Sequence, residues 1–116
     1  MYKIVAAVNS MVEHSNLIGQ VSKGDKAYFF VYDNKFKWSI HEDENQNYDL
    51  NYYPGNQSID DLLSMDLRYF KDFVRYSTED ISTREAKESF ADLYQTVQSK
   101  LYDIDTVLDQ IINTAA

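Results

Sequence analysis

Apolar residues open the chain at three- and four-residue steps: Ile4, Val5, Val8, Met11 and Val12 share one helical face. A strand over residues 2–8 would need strict alternation, and the unbroken run Ile4-Val5-Ala6-Ala7-Val8 does not supply it. The pattern predicts a helix that ends near Ser15-Asn16. Leu17, Ile18 and Val21 then lead into Ser22-Lys23-Gly24-Asp25, a turn signal.

The period shortens at residues 27–41, AYFFVYDNKFKWSIH, where Phe36, Trp38 and Ile40 alternate with Lys35, Lys37 and Ser39. Two strands around a tight Asp33-Asn34 turn account for this, because Asp and Asn tolerate positive φ better than most residues. As a two-residue loop, that turn sets Tyr32 opposite Lys35, Val31 opposite Phe36 and Phe29 opposite Trp38. A third strand is predicted over residues 48–53, after the polar loop 42–47, and Pro54-Gly55-Asn56 stops it.

This register predicts two faces of different chemistry. Phe29, Val31, Phe36, Trp38 and Ile40 fall together, joined by Tyr48, Leu50 and Tyr52, as a core face for the helices. Tyr28, Phe30, Tyr32, Lys35, Lys37, Ser39, Asp49, Asn51 and Tyr53 fall on the other. A solvent face has no need of three aromatics in a row, and a core face accepts lysines only when their stems run past the rings. Aromatic anchors beside orienting charges suit a partner surface, with Tyr28, Phe30, Tyr32, Lys35, Lys37 and Tyr53 as its candidate residues. The competing explanation is that a terminal helix covers Tyr28 and Phe30.

Ser58-Ile59-Asp60-Asp61 opens a short helix, with Ser58 as N-cap and Ile59, Leu62 and Leu63 inward. Residues 67–78 carry both a helical spacing (Leu63, Leu67, Phe70, Val74) and many β-formers, and a fourth strand over residues 69–77 is expected. Ser82-Thr83-Arg84-Glu85 reads as a capping box with Ser82 as the cap. From there Ala86, Phe90, Leu93, Val97, Leu101, Ile104, Leu108 and Ile111 recur at helical intervals, and residues 84–112 contain neither Gly nor Pro. At about 1.5 Å per residue this helix would be on the order of 40 Å long, longer than a domain of this size is wide. It must break, near Tyr102-Asp103-Ile104-Asp105, or overhang and pack on something else. The expected fold is one α+β domain: an antiparallel meander of three to four strands packed by an N-terminal, a short central and a long C-terminal helix.

Composition narrows function by exclusion. The chain has 116 residues, 10 Tyr, 6 Phe, one Trp, no Cys and a net charge of −8. One core and no disulfide or thiolate chemistry follow. Seven acids face five lysines before Ser58, whereas twelve acids face six bases from Ser58 onward, so the charge gathers in the second half. An acidic field disfavours direct nucleic-acid binding and docking on an anionic membrane, and suits a basic protein partner. The start carries no secretory signal pattern, so a cytoplasmic location is expected.

Catalytic signals are weak. His14 and His41 lack His or Cys companions at metal-ligand spacing, and Asp43–Asn47 lacks the order of a calcium loop, so no metal or cofactor is expected. None of Ser10, Ser15, Ser39, Ser58, Ser77 or Ser89 lies in a Gly-x-Ser-x-Gly elbow. Asp60-Asp61 and Glu79-Asp80 sit at helix starts, where the helix dipole accounts for them. The expectation is a non-catalytic protein-interaction module, in its simplest version a homodimer, binding through the aromatic–lysine face or the acidic C-terminal helix. Two alternatives stand beside it. One is an acidic inhibitor or immunity-type protein that blocks a basic nucleic-acid-binding or nuclease partner. The other is a small-ligand binder or enzyme with an aromatic pocket between sheet and helix.

Overall fold

The computed structural model describes residues 2–64 and 72–114. Helix α1 (Lys3–Glu13) buries Val5, Val8 and Met11, the face its periodicity marks. A single 3₁₀ turn leads to a five-stranded antiparallel meander in sequential order: β1 (Ile18–Lys23), β2 (Tyr28–Tyr32), β3 (Phe36–Glu42), β4 (Tyr48–Tyr53) and β5 (Val74–Ser77). Helix α2 (Ile59–Ser64) lies between β4 and β5, and α3 (Arg84–Tyr102) and α4 (Ile104–Thr114) complete the chain. The α+β class, the antiparallel meander and the long C-terminal helical segment match the expectation, with one strand more.

The additional strand is β1. Its register against β2 slips between Gly19 and Ser22, where Gln20 takes a left-handed φ of 50°. This bulge puts one extra residue into β1, so Ile18 and Val21, three apart, both reach the same core cluster. Period-two alternation is thereby broken, which is why the pattern in residues 17–23 does not read as a strand.

The hairpin between β2 and β3 corrects the expected register. Tyr32 pairs with Phe36, Val31 with Lys37, Phe30 with Trp38, Phe29 with Ser39 and Tyr28 with Ile40. The loop holds three residues, with Asp33 and Asn34 both left-handed at φ 54° and 56° and the Lys35 amide donating to the Tyr32 carbonyl at 3.2 Å. One residue of slip turns β2 over relative to β3. Tyr28 and Phe30 therefore join Ile40, Tyr48 and Leu50 in the main core, with Tyr32 and Trp38 at its edge, under Val8 and Met11 of α1 and Phe90, Leu93 and Val97 of α3. Phe29 and Val31 turn to the opposite face and pack with Tyr53, Ile59 and Leu62. Helices α1 and α3 thus cover the Trp38 face as expected, while α2 covers the other.

Helix α2 has the expected cap: the Asp61 amide donates to Ser58 Oγ at 3.1 Å and the Ser58 amide to Asp61 Oδ2 at 3.0 Å. Strand β5 is the C-terminal part of the expected fourth strand, whose first residues, 69–71, lie outside the described residues. At α3 the cap moves by one position, because Thr83 Oγ1 accepts the Ala86 amide at 3.1 Å. The expected break falls at Asp103, whose left-handed φ of 50° ends α3 and starts α4.

Two substitutions test this arrangement. Phe30→Ala, at a fully buried site, is expected to lower unfolding free energy by about 3–5 kcal/mol in a urea melt. A near-neutral result would return Phe30 to the surface. Thr83→Ala is expected to cost about 1 kcal/mol, against less than about 0.5 kcal/mol for Ser82→Ala; equal costs would restore Ser82 as the cap.

Candidate functional site

The register correction disperses the six expected partner-binding residues. Tyr28 and Phe30 are buried beneath α3, where Gln98 Nε2 donates to the Tyr28 hydroxyl at 3.1 Å and the Tyr94 ring lies 5.4 Å away. Tyr32 packs half-buried against the same cluster. Lys35 stands at the hairpin tip, 3.7 Å from the Asp33 carboxylate. Lys37 and Tyr53 occupy the opposite face. The Lys37 ammonium donates to the Gly55 and Gln57 carbonyls, which ties down the loop before α2. Tyr53 is 3% exposed, stacks on Phe29 with centroids 5.9 Å apart, and shares a 2.8 Å hydrogen bond with Ser39 Oγ. These six residues form no common surface.

What the α2 side of the sheet offers instead is a cleft of about 600 Å³ between the β1–β2 turn and α2. Phe29, Ser39, His41, Asn51 and Tyr53 line its floor. Their polar atoms are largely committed to the fold. Asn51 Nδ2 donates to Ser39 Oγ at 3.4 Å, His41 Nδ1 donates to the Lys26 carbonyl, and Arg75 holds Asp49 at 2.9 Å. Only Asn51 Oδ1 there, and Trp38 Nε1 on the other face, are buried without a partner among the described residues. His41 sits opposite Asp49 in the β3–β4 ladder, yet no side-chain hydrogen bond among the described residues joins its imidazole to Asp49 or Ser39. The floor therefore lacks a hydrogen-bonded base–nucleophile pair of the kind acyl-transfer chemistry uses.

Among the described residues, three tyrosines have hydroxyls shifted from the ordinary phenol range. Burial raises the Tyr48 hydroxyl well above the ordinary phenol range, and its 2.6 Å donation to Glu42 Oε2, with that carboxylate's charge, raises it further. Burial raises Tyr53 too, partly opposed by its hydrogen bonds with Ser39 and Asn51. Tyr94 is raised by burial first and then by the neighbouring Tyr28 and Glu42.

The other candidate surface is α4. It buries no residue, and its aliphatic side chains grow more exposed away from the domain: Ile104 40%, Val107 42%, Leu108 50%, Ile111 61% and Ile112 67%. At 100° per residue these five fall within an arc of about 140°. Asp105 and Asp109 border that arc on one side, and Gln110 and Thr114 border it on the other. Helical periodicity marked Ile104, Leu108 and Ile111 as a face to be covered without saying by what. The signal that pointed outward was the helix length. On α3 the exposed carboxylates Glu85, Glu88 and Asp92 share one face, but Gln95, Ser99 and Lys100 separate them from those of α4.

No family model, curated protein or solved structure matches the chain. Among the described residues, no helix is long and apolar enough to cross a membrane.

The tyrosine environments set an alkaline limit. Unfolded tyrosines lose their protons near pH 10, while these three hold theirs to higher pH. The folded state then binds more protons, so their stabilising contribution is complete below pH 10 and falls above it, by up to about 1.4 kcal/mol per pH unit for each tyrosine. Urea midpoints are expected to drop between pH 9 and pH 11, with a shallower slope in Tyr48→Phe; parallel slopes would remove Tyr48 from this account.

Proposed function

We propose that this protein is a non-catalytic protein-interaction module whose docking element is α4. The observation that carries the reading is the unpartnered aliphatic strip from Ile104 to Ile112. Fully burying one such side chain is worth about 1.5–3 kcal/mol, so covering five that are roughly half exposed supplies on the order of 5 kcal/mol. An eleven-residue helix also falls below the ~12–15 residues at which isolated helices become marginal in water. A partner that covers the strip stabilises the helix and gains from the burial together. Spacing at i, i+3, i+4 and i+7 (Ile104, Val107, Leu108, Ile111) suits a helix laid into a groove.

The cleft beside α2 supports a second reading, a small-ligand site. Its volume lies in the range of such sites, and Phe29 and Tyr53 give it an aromatic wall. The commitment of its polar atoms to the protein's own hydrogen bonds makes this the lesser reading.

Leu108→Asp with Ile111→Asp separates a docking role from a structural one. Since α4 buries nothing, the double variant is expected to unfold within about 0.5 kcal/mol of wild type. It is also expected to lose proteins that wild type retains from native lysate. A destabilised variant, or an unchanged retained set, would overturn the reading.

A further inference from the structure

We infer that the occupant of the α4 strip is a groove on another protein, basic along the one rim that meets Asp105 and Asp109. This rests on the docking role proposed for α4 and adds the chemistry of the partner.

The two flanks of the strip differ. Asp105 and Asp109, one helical turn apart, run beside Leu108 and Ile112, and α4 contains no Lys or Arg. Across the strip, Gln110 and Thr114 carry no charge. A groove matched to this helix has aliphatic or aromatic walls, cations along one edge and neutral polar groups along the other. That asymmetry also fixes the direction in which the helix lies.

A second copy of this chain fits poorly. In an antiparallel pair of α4 helices each flank meets its own counterpart, which gathers four carboxylates into one seam. In a parallel pair the carboxylates meet Gln110 and Thr114 and gain no cation. Either pairing also brings together two chains of net charge −8. Size points the same way. Three turns of helix, about 16 Å long and about 10 Å across, present on the order of a few hundred Å² to another helix. A stable interface takes about 800 Å² per partner, and a groove that wraps the helix on three sides comes closer to it than a second helix does. An anionic lipid surface meets the same aspartates unfavourably.

The test begins with the full chain carrying a photo-crosslinking residue at Gln110, irradiated in native lysate. The crosslinked protein is then purified and titrated against the uncrosslinked chain at 50 mM and 300 mM salt. The expected result is a partner of different sequence whose affinity falls as salt rises. Asp105→Lys with Asp109→Lys should weaken it at least about tenfold at low salt. Asp105→Asn with Asp109→Asn, which keeps the helix start polar, should weaken it less. A partner indifferent to salt and to both aspartate pairs, yet lost with Leu108→Asp and Ile111→Asp, would sink the basic rim and keep the docking role. A crosslinked species of twice this chain's mass would make the occupant a second copy. Co-sedimentation with zwitterionic vesicles that is lost on Leu108→Asp would place the strip on lipid. No crosslink, or a partner that binds the Leu108→Asp, Ile111→Asp variant as well as wild type, would overturn the docking role together with the rim.

Discussion

The structure depends on the parity of β2 relative to β3. The three-residue turn pairs Tyr32 with Phe36, and every other residue of β2 then points toward α3. Phe30 becomes fully buried and meets the helix layer that Phe90, Leu93 and Val97 supply from α3. With the opposite parity Phe29 and Val31 would enter that layer, and Phe30 would face α2 beside Lys37 and Ser39. Asp33 and Asn34 take the left-handed conformations the tight turn needs, and the Asp33 amide donates to the Leu17 carbonyl at 2.9 Å. The length of this one turn thus sets which aromatic residues form the core and which line the cleft.

The core also decides where the helical layer ends. Helix α3 is covered along Ala86, Phe90, Leu93 and Val97, with Leu101 the last side chain packed against the sheet cluster. Beyond it the sheet offers nothing further to cover, and the chain turns at Asp103. The Asp103 carboxylate accepts from Thr106 Oγ1 at 3.0 Å, and the Val107 amide donates to the Asp103 carbonyl, so the turn that ends one helix starts the next. Helix α4 therefore leaves the domain with its periodicity intact and none of its residues buried, and the molecule extends to 52 Å along its longest axis.

The parts legible in the sequence were those where side-chain pattern alone decides. Strand β4 could be read to the residue because Tyr48, Leu50 and Tyr52 alternate cleanly with Asp49 and Asn51. Helix α1 and the break near Asp103 followed from period and length. Strand β1 was hidden by its bulge, and the hairpin register by a turn sequence that suits two-residue and three-residue loops alike. Ser82 and Thr83 are adjacent and chemically equivalent as caps, so the choice rests on the geometry of the first turn. The candidate surface was the hardest part. A hydrophobic helical period states that a face will be covered, but it does not state which molecule covers it.

That ambiguity gives the charge of the chain its meaning on the proposed reading. An exposed aliphatic strip invites self-association, and a net charge of −8 opposes it while leaving attraction toward a basic partner intact. Asp105 and Asp109 repeat the same bias at the strip itself, on one flank, where orientation as well as identity is selected. The joint at Asp103 adds a third element. A left-handed Asp whose carboxylate accepts from Thr106 caps the start of α4 and lowers the cost of ordering so short a helix. Ordering a helix during binding would subtract from the modest gain that five half-exposed side chains supply. On the proposed reading, a helix start held in advance leaves more of that gain for the partner.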